Sequence, residues 1–371
     1  MPRAVQKAIM HALLAAGLAA LPDGASAAKL DELTAAERAA YLKRAKIWAP
    51  VDVARRDVRL GPQGPEAFAP GAEVTCTYEE RTEKGLGHTP KFDCRLPGGD
   101  VVKVKYGAAN GEVYAAVAAT RLFWALGFGA EAEYPARVVC LRCPQDPWER
   151  QEPRLDRVVF DPAMIERHPF VPIAEKGKPS LWKWQELDDV DESAGGATPA
   201  ERDALTLLAA FVQHGDNKEE NQRLVCPAEQ VGKDASGGEI CGQPWLIVHD
   251  LGVTFGRGAI RHLSPVSSAN FAEWSEVKVW EDPGRCEAEL DARFFHKTLK
   301  DPRVSEAGRA LLARQLGALS DDQIRGIFEA SRIAFREWKE PGQRGRNGTP
   351  ERWTAAFKDK RQQIAAARCP R

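Results

Sequence analysis

Between Thr198 and Gly252 the chain carries a capped apolar helix, a short loop dense in chemically able side chains, and a strand pair ending on a second carboxylate. Thr198-Pro199-Ala200-Glu201 has the marks of a helix start: a hydroxyl at the N-cap, proline at the first helical position, and a glutamate placed to close a capping box. Leu205, Leu208 and Val212, with Ala204, Leu207 and Phe211, give that helix a broad buried face. The helix is expected to end at Gly215, inside the loop His214-Gly215-Asp216-Asn217-Lys218-Glu219-Glu220-Asn221. Arg223-Leu224-Val225 and Trp245-Leu246-Ile247-Val248 read as two short strands, the second delivering His249-Asp250-Leu251-Gly252. Either half alone also fits ordinary turn chemistry, since Gly and Asn favour left-handed helix ends and Asp-Leu-Gly can close any strand. The constraint lies in having both, in this order.

Read as His-x-Asp-x-Lys-x-x-Asn followed by Asp-x-Gly, the block resembles the catalytic loop and metal-binding motif of protein-kinase-like enzymes. It looks most similar to the atypical branch of HipA-type kinases, phosphatidylinositol kinases and secreted kinases. The resemblance implies a two-lobed α+β fold, with a small antiparallel-sheet, nucleotide-binding lobe over residues 71–185 and a mainly helical catalytic lobe over 186–371. It also implies phosphoryl transfer from ATP or another nucleotide to a hydroxyl acceptor, whose identity as protein, glycan, lipid or small molecule stays open. In that reading Asp216 orients or deprotonates the acceptor and Lys218 neutralises charge on the transferred group. Asn221 and Asp250 hold Mg2+ or Mn2+, while Lys105, oriented by Glu112, grips the phosphates with Lys103 in reserve. His214 braces the loop; His249 reads as a packed side chain. Gly215 stands where ordinary protein kinases carry arginine, and no Ala-Pro-Glu follows, so no activation-loop phosphate switch is expected.

Upstream, Val74–Glu80, Lys91–Leu96 and Asp100–Tyr106 read as a three-stranded antiparallel meander. Its first turn, 83–88, contains Gly85 and Gly87, whose backbone amides would approach phosphates; a plain hairpin turn accounts for them equally. Lys103 and Lys105 share one face by strand alternation. The next helix is expected to be capped by Asn110, to carry Glu112 in its first turn, and to run almost wholly apolar to Gly127, as a helix packed on both sides does. A Lys105–Glu112 ion pair is expected, against the plainer readings of a solvated strand face and a dipole-matched glutamate. Ala136–Cys140 reads as a fourth strand. Residues 144–197 resist assignment: Leu181–Leu187 is a candidate inter-lobe connection, although Trp182 and Trp184 read first as core. Helix starts at Ser305, at Ser320 with Gln323, and at Thr349-Pro350 make the C-terminal third helical.

Residues 1–27 read as a signal peptide, with Arg3 and Lys7 before an apolar run too short to span a bilayer and Ala25-Ser26-Ala27 at the cleavage site. All eight cysteines follow it, an even number suited to an oxidising compartment, so a periplasmic or extracellular protein is expected. Cys76 with Cys94 and Cys226 with Cys241 flank turns and read as local disulfides. The pairing of Cys140, Cys143, Cys286 and Cys369 stays open, with a structural bridge favoured over zinc or redox chemistry at Cys140-x-x-Cys143. Residues 28–70 form a short helix, expected over 29–47, and a Pro/Gly-rich connector. A net charge of −1 gives no case for a nucleic-acid partner, and nothing after the signal has transmembrane length. A cell envelope holds little ATP. An unusual donor, nucleotidyl transfer on the same site, or a disulfide-stapled scaffold without catalysis are therefore the rivals. Keeping Asn221, Asp250 and Lys218 together favours an enzyme.

Overall fold

The computed structural model describes residues 29–64, 66–80, 89–149, 153–168, 170–256, 268–290, 299–337 and 347–370. The expected signal peptide and the turn holding Gly85 and Gly87 lie outside the described residues. The chain is a mixed α+β structure. Helix α1 (Ala35–Lys43) is shorter than its expected span because the Thr34–Glu37 capping box sets its start.

Strands β1 (Glu73–Glu79), β2 (Lys91–Arg95) and β3 (Val101–Tyr106) form the antiparallel meander. After helix α2 (Glu112–Leu126) come β4 (Ala132–Pro144) and β5 (Arg154–Arg167), and the five strands close as a barrel in the order β1-β2-β3-β5-β4. The seam between β1 and β4 is parallel, so the sheet is not purely antiparallel as expected. β4 makes this possible by its length, pairing with β5 along one edge and with β1 along the other.

β5 lies in the stretch that resisted assignment. Its first half is exposed apart from Val158 and Phe160, while its second half is buried from Ala163 to Glu166, so no sustained alternation marks it. Inside the barrel the rings of Phe92, Tyr106 and Phe160 lie 4.7–5.6 Å apart, packed with Val104, Val138 and Ile165.

A second hydrophobic cluster gathers α2 with the rest of the chain. Thirteen of the fifteen α2 residues are buried, so the helix is covered on all sides. Asn110 Oδ1 accepts from the Glu112 amide at 3.1 Å and so supplies the capping bond, while Gly111 between them is already helical. Gly127 ends the helix at φ 86°, where a Cβ would stand 2.2 Å from the Ala49 carbonyl oxygen.

The chain leaves the barrel at Arg167 and enters a second sheet at Phe170. That sheet orders β10 (Trp245–Val248), β7 (Gln222–Pro227) and β6 (Phe170–Pro172), with a small β8 (Val231–Lys233)–β9 (Glu239–Cys241) hairpin between β7 and β10 in sequence. Trp182 and Trp184 are core residues, the former donating its indole N–H to the Ile247 carbonyl at 3.1 Å. Helix α3 (Pro199–Phe211) begins with the Thr198–Glu201 capping box. It is followed by α4 (Phe271–Glu276), the short β11 (Trp280–Asp282) and β12 (Glu287–Ala288), and helices α5 (Glu306–Gly317), α6 (Asp321–Ala330) and α7 (Pro350–Ala366). No helix among the described residues is long and apolar enough to cross a membrane.

All eight cysteines are paired. Cys76–Cys94 and Cys226–Cys241 form as expected, and Cys140–Cys143 and Cys286–Cys369 use the remaining four. The last closes the longest loop, joining the β11–β12 region to the C-terminus across a separation of 83 residues. In the chain-entropy model, replacing both Cys286 and Cys369 by Ser should cost roughly 4–5 kcal/mol, against roughly 3 kcal/mol for Cys226 and Cys241. Urea unfolding at pH 7 should reproduce that order; a reversed order would mean that native contacts, not loop entropy, dominate.

Candidate active site

Lys105 lies near the end of β3, opposite Lys91 on β2 and Met164 on β5, and is wholly buried. Its Nζ is 3.3 Å from Glu112 Oε2 and 3.0 Å from Asp250 Oδ1, so one ammonium joins β3, the first turn of α2 and the segment after β10. Thr89 donates to the same Glu112 oxygen at 3.1 Å, and the Gly252 amide donates to Asp250 Oδ1 at 2.9 Å. A Cβ at Gly252 would stand 2.9 Å from Glu112 Oε2 and 3.0 Å from Asp250 Oδ1, so any side chain there would make the carboxylates shift. Burial opposes the charged lysine, but Asp250, Glu112 and Glu133 outweigh it and hold the ammonium well above its ordinary pKa. Burial also opposes the Asp250 carboxylate, yet Lys105 and Lys103 hold it well below the usual carboxylate range. Lys103 turns elsewhere and donates to Glu166 on β5.

The loop after α3 is shaped by residues whose roles the motif does not display. α3 stops at Phe211, and Gln213, not Gly215, takes the left-handed conformation at φ 54°. The Gln213 amide is held by the carbonyls of Ala210 at 3.2 Å and Glu289 at 2.6 Å. His214 is buried, its backbone amide bonded to Ala209 O at 2.8 Å. Asn217 donates to the carbonyls of His214 and Leu299, both at 3.1 Å, and accepts from the Leu299 amide at 3.0 Å.

Asn221 donates its side-chain N–H to Asp216 O at 2.6 Å, while its own carbonyl accepts from His249 N at 2.8 Å and Asp250 N at 3.3 Å. Lys218 Nζ is 3.1 Å from Asp216 Oδ2. One hydrogen-bonded network thus brings together Asp216, Lys218, Asn221, Asp250, Lys105 and Glu112. Lys103 stands at its border, and Gly85 and Gly87 lie outside the described residues.

Among the described residues, Asn221 Oδ1 and Asp250 Oδ2 meet no hydrogen-bond donor. Unengaged side-chain oxygens of this kind are the ligands a hard divalent cation takes.

The structure adds residues that sequence reasoning passed over. Glu131 and Glu133, before and within β4, and Glu166, within β5, are buried carboxyls beside Lys103 and Lys105; His168 follows β5. Burial, only partly offset by Lys105, pushes the Glu133 carboxyl well above its ordinary pKa. The alternation of glutamates in Glu131-Ala132-Glu133 was the available signal, pointing two carboxyls to one face of a strand.

No protein-family model matches the chain, and no curated protein matches it. Among solved structures it is similar to a Helicobacter pylori proinflammatory kinase, CtkA, at 11% identity and a TM-score of 0.38, over 80% of this chain and 96% of that one. It is also similar to the open conformation of CtTel1, at 15% identity and a TM-score of 0.25, over 75% of this chain and 11% of that one. Likenesses this weak carry no argument about activity.

Replacing Lys105 by Met would leave Glu112 and Asp250 without the counter-charge that contacts both, a loss of roughly 3–5 kcal/mol at pH 7. The folded pKa of Asp250 is depressed, so its contribution is present above the unfolded value of about 3.9 and is lost as pH falls through the lower folded value. The penalty of Lys105→Met should therefore shrink between pH 7 and pH 3. Urea midpoints at the two pH values check this, and a pH-independent penalty would assign the loss to packing instead.

Proposed function

We propose that the protein is an exported phosphotransferase of two-lobed, protein-kinase-like architecture, moving a phosphoryl group from a nucleotide to a hydroxyl acceptor. One observation carries the reading: the buried Lys105 ammonium held between Glu112 and Asp250, with the Asp216–Asn221 loop bonded to the same strand end. Phosphoryl transfer asks little covalent chemistry of a protein; it asks for fixed charge around the phosphates and an oriented nucleophile.

Lys105 would grip the donor phosphates, its position fixed from two sides. Asp216 would accept a hydrogen bond from the acceptor hydroxyl and take its proton as the new bond forms, with Lys218 beside it to meet charge on the transferred group. Asn221 and Asp250 would hold Mg2+ or Mn2+ through their remaining oxygens; when bound, the cation neutralises phosphate charge. Two hydrophobic clusters, one inside the barrel and one among the helices, support the two-lobed arrangement. Full pairing of the cysteines supports export.

Asp250→Ala should abolish manganese-dependent stabilisation by nucleotides, read as the thermal shift of oxidised protein against a nucleotide panel. Wild-type affinity in that variant would remove Asp250 from the metal site. Asp216→Asn should bind nucleotide as the wild type does while transferring phosphate more slowly by about 10²–10⁴. Autophosphorylation with labelled nucleotide is the first assay. An unchanged rate would make Asp216 a turn residue, and a wild type that binds no nucleotide would favour a disulfide-stapled binding protein.

A further inference from the structure

Four side chains outside the proposed phosphotransfer machinery converge on one point beside it. Glu131 lies just before β4, Glu166 within β5, His168 just past β5, and His249 just after β10. One potential ligand atom from each lies within 4.8 Å of all the others. The backbone sets up this meeting: Ala130 bridges Val248 in parallel, which places Glu131 against His249, and the end of β5 pairs with the start of β4.

His168 Nδ1 hydrogen-bonds Glu131 Oε1 at 2.5 Å, but two atoms of the cluster, Glu131 Oε2 and His249 Nδ1, have no hydrogen-bond partner. Nδ1 of His168 and Nδ1 of His249 both crowd the same oxygen, Glu131 Oε1, and His168 Nε2 stands 3.2 Å from Glu166 Oε1. His249 Nδ1 makes this approach without hydrogen-bond geometry. The other Glu131 oxygen is buried with no partner, in a residue only 4% exposed. A carboxylate so buried costs free energy unless something cationic meets it. Lys103 is committed to Glu166, and Glu133 adds a further buried carboxyl rather than a donor.

We propose that Glu131, Glu166, His168 and His249 bind a divalent transition-metal cation, zinc being the best match. Two imidazoles and two carboxylates form a mixed nitrogen–oxygen set of the borderline kind that zinc takes in four-coordinate geometry, whereas magnesium prefers an all-oxygen shell. At metal–ligand distances of about 2.0–2.2 Å, four ligands fit inside the observed envelope after small side-chain adjustments. Thiols cannot compete, because every cysteine is in a disulfide. The site is separate in chemistry from the Asn221–Asp250 pair and would fill without nucleotide, so it stands whether or not the phosphotransfer reading does. Its role follows from its ligands: it ties the open end of the barrel, through β4 and β5, to β10 of the second sheet.

The test uses untagged, disulfide-intact protein stripped with chelator, equilibrated with Zn2+ in the presence of excess Mg2+, desalted and analysed for metal. About one equivalent of zinc should remain on the wild type, and Co2+ in its place should give the visible absorption of a low-coordinate site. His168→Asn and Glu131→Gln should fall below roughly a tenth of an equivalent and lose the cobalt spectrum. Because the His168 side chain is 46% exposed, that variant should remain folded, as circular dichroism can check. Asp250→Asn should retain its zinc. Absence of bound zinc in the wild type, or full zinc in His168→Asn, would overturn the proposal. So would loss of zinc in Asp250→Asn with retention in His168→Asn, because the metal would then belong to the Asn221–Asp250 pair.

Discussion

The buried ammonium of Lys105 is the interaction on which the rest of the structure depends. A charge without solvent costs several kcal/mol, and only close, well-placed counter-charges make it tolerable. Glu112 and Asp250 come from elements far apart in sequence, so the three can meet only if the barrel, α2 and the β7–β10 hairpin are all in place. A shift of any one of them strands a buried charge. Gly252 and Thr89 tighten the arrangement, the first by leaving room for two carboxylates, the second by directing Glu112 toward the lysine.

Such a triad needs α2 held rigidly, and the packing around that helix explains why so little of it is polar. Its buried Thr120 and Arg121 both bond to backbone carbonyls, although Arg121 Nη2 is left without a partner. Thr120 bonds back to the Ala116 carbonyl at 2.9 Å, and Arg121 reaches Val58 O at 3.0 Å and Glu133 O at 3.1 Å. Arg121 thereby pins the N-terminal connector to β4 across the back of the helix. The connector is held at its other side by Gln323 of α6, whose amide donates to Val53 O at 2.8 Å and Arg56 O at 2.9 Å. Arg59 adds ion pairs to Asp322 and Glu329, but these are largely exposed and contribute little. The connector is thus a clasp that backs α2 against the site, built from hydrogen bonds that composition alone would never suggest.

Legibility in the sequence follows the range of the interaction. Helix starts are local chemistry, and the boxes at Thr198 and Ser320 stand where residue types put them. The meander and the β7–β10 pair were readable because hairpins keep their partners close. The parallel β1–β4 seam was not, since nothing in either strand names a partner so far away. β5 was lost because its exposed first half gives way to Ala163–Glu166, buried on both faces, where the two-residue period is erased. The loop end was misassigned for another reason: Gln213 adopts a conformation usually left to glycine, sustained by Ala210 and by Glu289 from a distant turn. The residues recognisable as a motif lie in one hydrogen-bonded network. Glu131, Glu166 and His168 were passed over, because only the closed barrel brings them together.

The charge balance around Lys105 has a consequence for any phosphorylated ligand brought to it. Glu112, Glu131, Glu133, Glu166 and Asp250 face Lys91, Lys103 and Lys105, so carboxyl groups outnumber ammonium groups even before a ligand arrives. Burial pushes the Glu133 carboxyl well above its ordinary pKa, and both strong cations on β3 are already engaged by carboxylates. A polyphosphate brought to Lys105 would compete with Glu112 and Asp250 for it. Such a ligand can be accommodated only if further positive charge enters with it or is already seated nearby. In the phosphotransfer reading, nucleotide binding at Lys105 is therefore coupled to cation binding. A zinc ion on Glu131, Glu166, His168 and His249 would supply part of that charge in advance, leaving Asp250 free to exchange Lys105 for a metal carried in with the phosphates.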